Sequence, residues 1–175
     1  ALSNLKAGGE KSENIELNWR SFQLNPQLPT QGIARSEYTS AKFGGEERAT
    51  QVYERISSAA KEVGLALNFN KIVTQPNSSR MHALIYAAES AQKNHQLVER
   101  LFKAFFIDGI DLTQRDNVSS IAQSAGLERV LIDRVFDDDL FMDKIKEDVQ
   151  QSSKIGIQGV PCLLYTSDAA DDTPC

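Results

Sequence analysis

Gly156-Ile157-Gln158-Gly159-Val160-Pro161 interrupts a helical pattern that has run from Ser36. Ile157–Val160 reads as the start of a strand, and Pro161 follows where a ladder would lose a donor. Back toward the N-terminus, apolar residues recur at helical spacing. Asp139–Ile155 and Glu128–Phe136 are two such segments. Thr113 is a good N-cap for a helix over Asn117–Ala125, with Gly126 as its stop. Asn94–Ile107 places Leu97, Val98, Leu101, Phe102, Phe105 and Phe106 on one broad face, predicted to be core. Asn77 or Ser78 can cap a helix running to about Lys93. Glu46–Val63 carries a stripe of Val52, Ile56, Ala59, Ala60 and Val63, and Gly64 ends it. Ala66–Phe69 is predicted to be a short extended piece, and Ser36–Phe43 a helix stopped by Gly44-Gly45.

Before this series lies a different rhythm. Ile15, Leu17 and Trp19 alternate with Glu16, Asn18 and Arg20, so Asn14–Leu24 predicts a strand with one buried face. Asn25-Pro26 and Pro29 end it, and Ala1–Lys6 reads as the end of a helix stopped by Gly8-Gly9. The plan is strand, long helical series, strand.

Bulk properties narrow the function. A chain of 175 residues suits one domain, or a domain with a large insertion. A net charge of -5 argues against a basic nucleic-acid surface. No run approaches the roughly 20 apolar residues of a membrane span. Ala1–Glu13 has no apolar core of a signal peptide. The chain does not begin with Met, so the true N-terminus, with any signal peptide, is expected upstream. The two cysteines are Cys162 and Cys175, so residues 1–161 hold no disulfide framework and no thiolate metal site. No metal is expected.

Three further stretches join the first. They are Trp19-Arg20-Ser21-Phe22-Gln23-Leu24-Asn25-Pro26, Ala41-Lys42-Phe43-Gly44-Gly45 and Pro76-Asn77-Ser78-Ser79-Arg80-Met81-His82-Ala83-Leu84-Ile85. In this order, with Gly156–Pro161 after them, they resemble the DsbA-like thioredoxin proteins of the FrnE type over nearly all of residues 1–161. The resemblance implies an α/β chain: a thioredoxin fold (incomplete) with a large all-helical insertion domain. Residues 1–35 would be a partial thioredoxin-like half, 36–150 the insertion, and 151–161 the return with a cis-proline loop at Gly159-Val160-Pro161. Residues 162–175 are expected to be a non-native tail. Cys162-Leu163-Leu164-Tyr165-Thr166-Ser167-Asp168-Ala169-Ala170-Asp171 resembles a translated transposon-derived sequencing adapter.

The activity implied is thiol–disulfide exchange. It requires a Cys-x-x-Cys at a helix start, where the helix N-terminus favours the thiolate that attacks a partner disulfide. That motif is absent here and is expected upstream of Ala1, so no catalytic residue is assigned and this polypeptide is expected to be inactive. Cys162 is not the family nucleophile. By resemblance, Val160 and Pro161 contact an extended substrate segment by strand addition. The resemblance also implies that Asn77 and His82 line the active site, where His82 has the chemistry to tune a thiolate or carry a proton. Read alone, Asn77 is a helix cap and His82 a solvated or core-bonded histidine. Trp19, Phe22 and Asn25 read as structural, Asp137-Asp138-Asp139 as carboxylates complementing a helix N-terminus, and His95 carries no role.

Two other readings stay open. One is a glutathione-dependent enzyme similar to 2-hydroxychromene-2-carboxylate isomerase, with serine in place of the first cysteine; glutathione is then the cofactor, and otherwise none is expected. The other is a non-catalytic thioredoxin-like binding scaffold. Expected partners are a thiol- or disulfide-containing protein or small molecule, with no nucleic acid and no membrane, and the resemblance implies a cytoplasmic location. With a first strand missing between the two predicted ones, the sheet should be incomplete and its edges exposed.

Overall fold

A computed structural model describes residues 17–165. The predicted helix end at Ala1–Lys6, its Gly8-Gly9 stop and Ile15 lie outside the described residues. A two-residue strand, β1 (Ile33–Ala34), leads into helices α1 (Arg35–Phe43) and α2 (Glu46–Glu62). A 3₁₀ turn (Phe69–Lys71) and strand β2 (Thr74–Gln75) follow. Helices α3 (Ser79–Glu89) and α4 (Asn94–Lys103) come next, with a π-helical turn at Ala104–Asp108. The series closes with α5 (Arg115–Ser124), α6 (Arg129–Asp137) and α7 (Leu140–Lys154). The architecture is mostly helical, with a small two-stranded sheet.

Helix α3 is the hub. It packs against α4, α6 and α7, and its small residues Ala83, Ala87 and Ala88 let those neighbours come close. Leu84 from α3, Leu97 from α4, Ile132 and Val135 from α6 and Ile145 from α7 are fully buried in one core. Val118 and Ala122 of α5 extend it. Burying an aliphatic side chain of this size contributes about 1.5–3 kcal/mol, so this cluster dominates the stability of the helical layer. The α1–α2 hairpin is joined to it through β1–β2. Ile33 pairs with Gln75 and Ala34 with Thr74, antiparallel, and the Arg35 amide donates to the Val73 carbonyl at 2.9 Å. The Arg35 guanidinium then donates to Gln75 Oε1 and to the Tyr53 hydroxyl, stacked against the rings of Tyr38 and Tyr53. Neither short strand was expected from the sequence, because two-residue strands have no period to read.

Several expectations change. Residues 17–24 form no strand: side chains of α7, rather than a neighbouring strand, meet the backbone there. Ile157–Val160 is likewise irregular. Ala66–Asn68 is a loop that ends in the 3₁₀ turn beginning at Phe69. The stripe on α2 is only partly turned inward: Ala60 is buried and Val52 half-buried, with α1 on one side and Phe69 stacked on Tyr53. Ala49 and Ala60 are buried, whereas Ile56, Ala59 and Val63 are exposed. Phe105 is core, but Phe102 is 56% exposed and stacks on half-buried Phe106 at the surface. Helix α3 stops at Glu89 rather than near Lys93, and α5 begins at Arg115, before Asn117. Thr113 uses its hydroxyl to donate to Asp111 Oδ1 at 2.7 Å instead of capping α5.

Candidate functional site

Residues 19–28 run along α3 and α7, and the way they are held defines the site. Among the described residues, positions 19–24 make no backbone-to-backbone hydrogen bond. A buried backbone still requires partners, and here side chains supply them. Asp148 of α7 accepts the Ser21 amide at 2.6 Å through Oδ2 and pairs with Arg20 at 2.5 Å through Oδ1. The Ser152 hydroxyl, one helical turn on, donates to the Ser21 carbonyl at 3.4 Å. Gln23 Nε2 donates to Ser79 Oγ at 2.8 Å.

Asn77 works in two directions. Its Oδ1 accepts the Ser79 amide at 2.9 Å and the Ser79 hydroxyl at 2.6 Å, opening α3 with an Asx cap. Its Nδ2 donates to the Leu28 carbonyl at 2.6 Å, which ties the loop after Pro26 to the helix start. Replacing Asn77 by alanine removes both functions. The expected loss is about 1–2 kcal/mol, read as a lowered urea midpoint; an unchanged midpoint would show that the cap is dispensable.

His82 lies half-buried beside this contact. Burial pushes its pKa below the ordinary histidine value of 6.5, while the Asp148 charge and the Phe22 carbonyl pull it back upward without prevailing. The imidazole is therefore neutral at neutral pH, with the capacity to take up or release a proton. Trp19 closes the N-terminal end of the stretch. Its ring lies 6.0 Å from the His95 ring, and its buried indole Nε1 has no hydrogen-bond partner among the described residues.

Asn77 and His82 thus meet the same stretch, Phe22–Leu28. Val160 and Pro161 lie elsewhere, beyond the end of α7, where the Ile157 amide returns to the Ser152 carbonyl at 3.1 Å. The Val160–Pro161 peptide is cis, and both residues are exposed. Among the described residues, no hydrogen bond or ion pair joins them to Asn77 or His82. Ser152 is the common point: its hydroxyl holds residue 21 and its carbonyl holds residue 157. Cys162 is exposed. Among the described residues, no group of three His, Cys, Asp or Glu side chains could hold a metal ion, and no helix is long and apolar enough to cross a membrane.

Sequence reasoning missed Asp148 and Ser152. A signal was present: Ile145, Asp148, Val149 and Ser152 share one face of α7, so two polar residues occupy positions of the inward stripe. Such residues mark a buried polar contact.

The model of the DSBA-like thioredoxin domain matches residues 1–172. The chain is similar to the uncharacterised protein YwbO of Bacillus subtilis (strain 168), with 22% identity over 118 residues, covering 67% of this chain and 55% of that protein. Its fold is also similar to the crystal structure of a "probable DsbA oxidoreductase" from Streptomyces coelicolor, with a TM-score of 0.74 and 22% identity. That match covers 81% of this chain and 62% of the other. The chain therefore spans about half the length of the curated relative.

Proposed function

Since the chain belongs to the DSBA-like thioredoxin domain family, we propose that it is part of a thiol–disulfide oxidoreductase of the FrnE type. The family match across residues 1–172 carries this reading. The chemistry requires a cysteine pair, and the 175 residues contain no Cys-x-x-Cys. In this proposal the pair precedes Ala1 in the parent protein, at the start of a helix that favours the thiolate. That thiolate attacks a disulfide of the partner, forms a mixed disulfide and expels the partner's other sulfur as a thiolate; the second cysteine then resolves the bond.

The residues in hand have supporting roles in this scheme. Val160 and Pro161 offer exposed backbone and an apolar side chain to an extended substrate segment. In this proposal Asn77, just before α3, and His82 of α3 line the site, Asn77 acting through the loop it holds. The partner is a protein or small molecule bearing a thiol or disulfide.

Insulin reduction by dithiothreitol tests the reading. The 175-residue chain is expected to give no turnover above the uncatalysed rate, and Cys162→Ser should change nothing. A parent carrying Cys-x-x-Cys is expected to accelerate the reaction, and serine at its first cysteine should abolish that. Robust turnover by the 175-residue chain, or none by such a parent, would overturn the proposal.

A further inference from the structure

We propose that the α1–α2 hairpin carries a phosphate-binding site built by Arg35, Tyr38, Lys42 and Tyr53, with Asn25 at its edge. The site is separate from the redox reading and does not depend on it. Its basis is a helical spacing. Arg35, Tyr38 and Lys42 stand at i, i+3 and i+7 of α1, which puts them on one helix face. Glu37, the one acidic residue of that helix, falls on the other side. The fold then brings up Tyr53 from α2, Asn25 from the loop before β1 and Gln75 from β2. The Arg35 guanidinium donates to the Tyr53 hydroxyl at 2.6 Å and to Gln75 Oε1. It lies 5.2 Å and 5.1 Å from the ring centroids of Tyr38 and Tyr53. Lys42 Nζ donates to the Tyr38 hydroxyl at 2.9 Å, and Asn25 Nδ2 donates to the same oxygen at 3.3 Å.

What the cluster lacks is an acceptor. Among the described residues, neither Arg35 nor Lys42 makes an ion pair with a carboxylate. Glu46 shares the Tyr53 face of α2 two turns away and pairs with neither cation. Both tyrosine oxygens already accept hydrogen bonds, so their own O–H protons are unused among the described residues. The buried Arg35 Nε has no partner there either. The Tyr53 phenol lies in the fields of Arg35, Tyr38 and Lys42, so these groups converge on one region. Burial outweighs the two cations and holds the Tyr53 pKa above its ordinary 10.0, so at neutral pH the phenol keeps a proton to donate. Donors in surplus around two positive charges suit an anion. A carboxylate matches the fork of a free guanidinium, but the Arg35 terminal nitrogens are already turned to two separate partners. A phosphate accepts from several side chains at once, and a lysine serves it as a point charge.

The experiment titrates the full chain with inorganic phosphate at constant ionic strength and follows amide chemical shifts. The amides of Arg35, Tyr38, Lys42 and Tyr53 are expected to shift saturably, with a Kd of about 1 mM or tighter. Glycerol phosphate is titrated in a second arm. Saturation by either supports the site, and the tighter of the two identifies free phosphate or a phosphate ester as its ligand. Lys42→Gln keeps an amide donor but removes the charge, and should weaken binding about tenfold. Tyr53→Phe removes one O–H donor and should weaken it about threefold. Lys61→Gln removes the same charge from the last turn of α2, outside the cluster, and should leave the Kd unchanged. Shifts that do not saturate would overturn the proposal, as would an equal response to acetate at the same ionic strength. Unchanged affinity in Lys42→Gln, or an equal loss in Lys61→Gln, would overturn it too. If Tyr53→Phe does not fold, Lys42→Gln decides, because Lys42 is exposed.

Discussion

Leu84→Ala is expected to destabilise the chain by about 3–4 kcal/mol. Leu84 is fully buried at the point where α3 meets its neighbours, and it shares a core with Leu97, Ile132 and Ile145. Two terms add: the transfer free energy of the lost methyl and methylene groups, and the cavity left behind. The cavity should collapse poorly. Its walls come from several helices, and the hub helix already approaches them through Ala83, Ala87 and Ala88, so there is little side chain left to move inward. For a domain whose total stability is about 5–15 kcal/mol, such a loss lowers the urea midpoint by about 1–2 M. A shift below about 0.5 M would mean that the core centre lies elsewhere.

Gly109→Ala is expected to cost about 2–4 kcal/mol, from backbone strain together with overpacking. Gly109 has φ 72°, and an added Cβ would lie 2.3 Å from the Lys71 Cβ and 2.9 Å from the Lys71 carbonyl oxygen. Both obstacles sit at or next to backbone, so no rotation of a flexible side chain relieves them. The 3₁₀ turn would have to move away from the π-helical turn, and the bond from the Asn68 amide to the Phe106 carbonyl, 2.7 Å, would be disturbed. Gly64 is the internal control. It also has a left-handed φ, 79°, but nothing lies within 4 Å of an added Cβ. Gly64→Ala should therefore cost only the conformational part, about 1 kcal/mol. Equal losses for the two variants in thermal or urea unfolding would show that the contact with Lys71 is not limiting.

The helical segments were legible because their signals are local. Gly44, Gly64 and Gly126 each stand just past a helix that the apolar spacing had outlined. Asn77 was readable as a cap, and it caps α3 through its side-chain oxygen. The site was legible only in part. Asn77 and His82 came from one quoted stretch, whereas Asp148, which meets the same segment, lies in a helix that otherwise reads as ordinary. The bond from Ser21 to Asp148 joins residues 127 positions apart, and no spacing rule reaches that far.

By itself, the sequence determined where the chain is helical, that Gly44, Gly64 and Gly126 stand just past helix ends, and which family the chain resembles. These depend on neighbours within a few positions. Only the tertiary structure decided which way α2 turns its apolar stripe, that Phe102 stays at the surface, and that residues 17–24 form no strand. An alternating pattern supplies one face of a strand but not the neighbour that completes its hydrogen bonds. Where side chains of α7 meet that backbone instead, the same residues lie as an irregular segment along it.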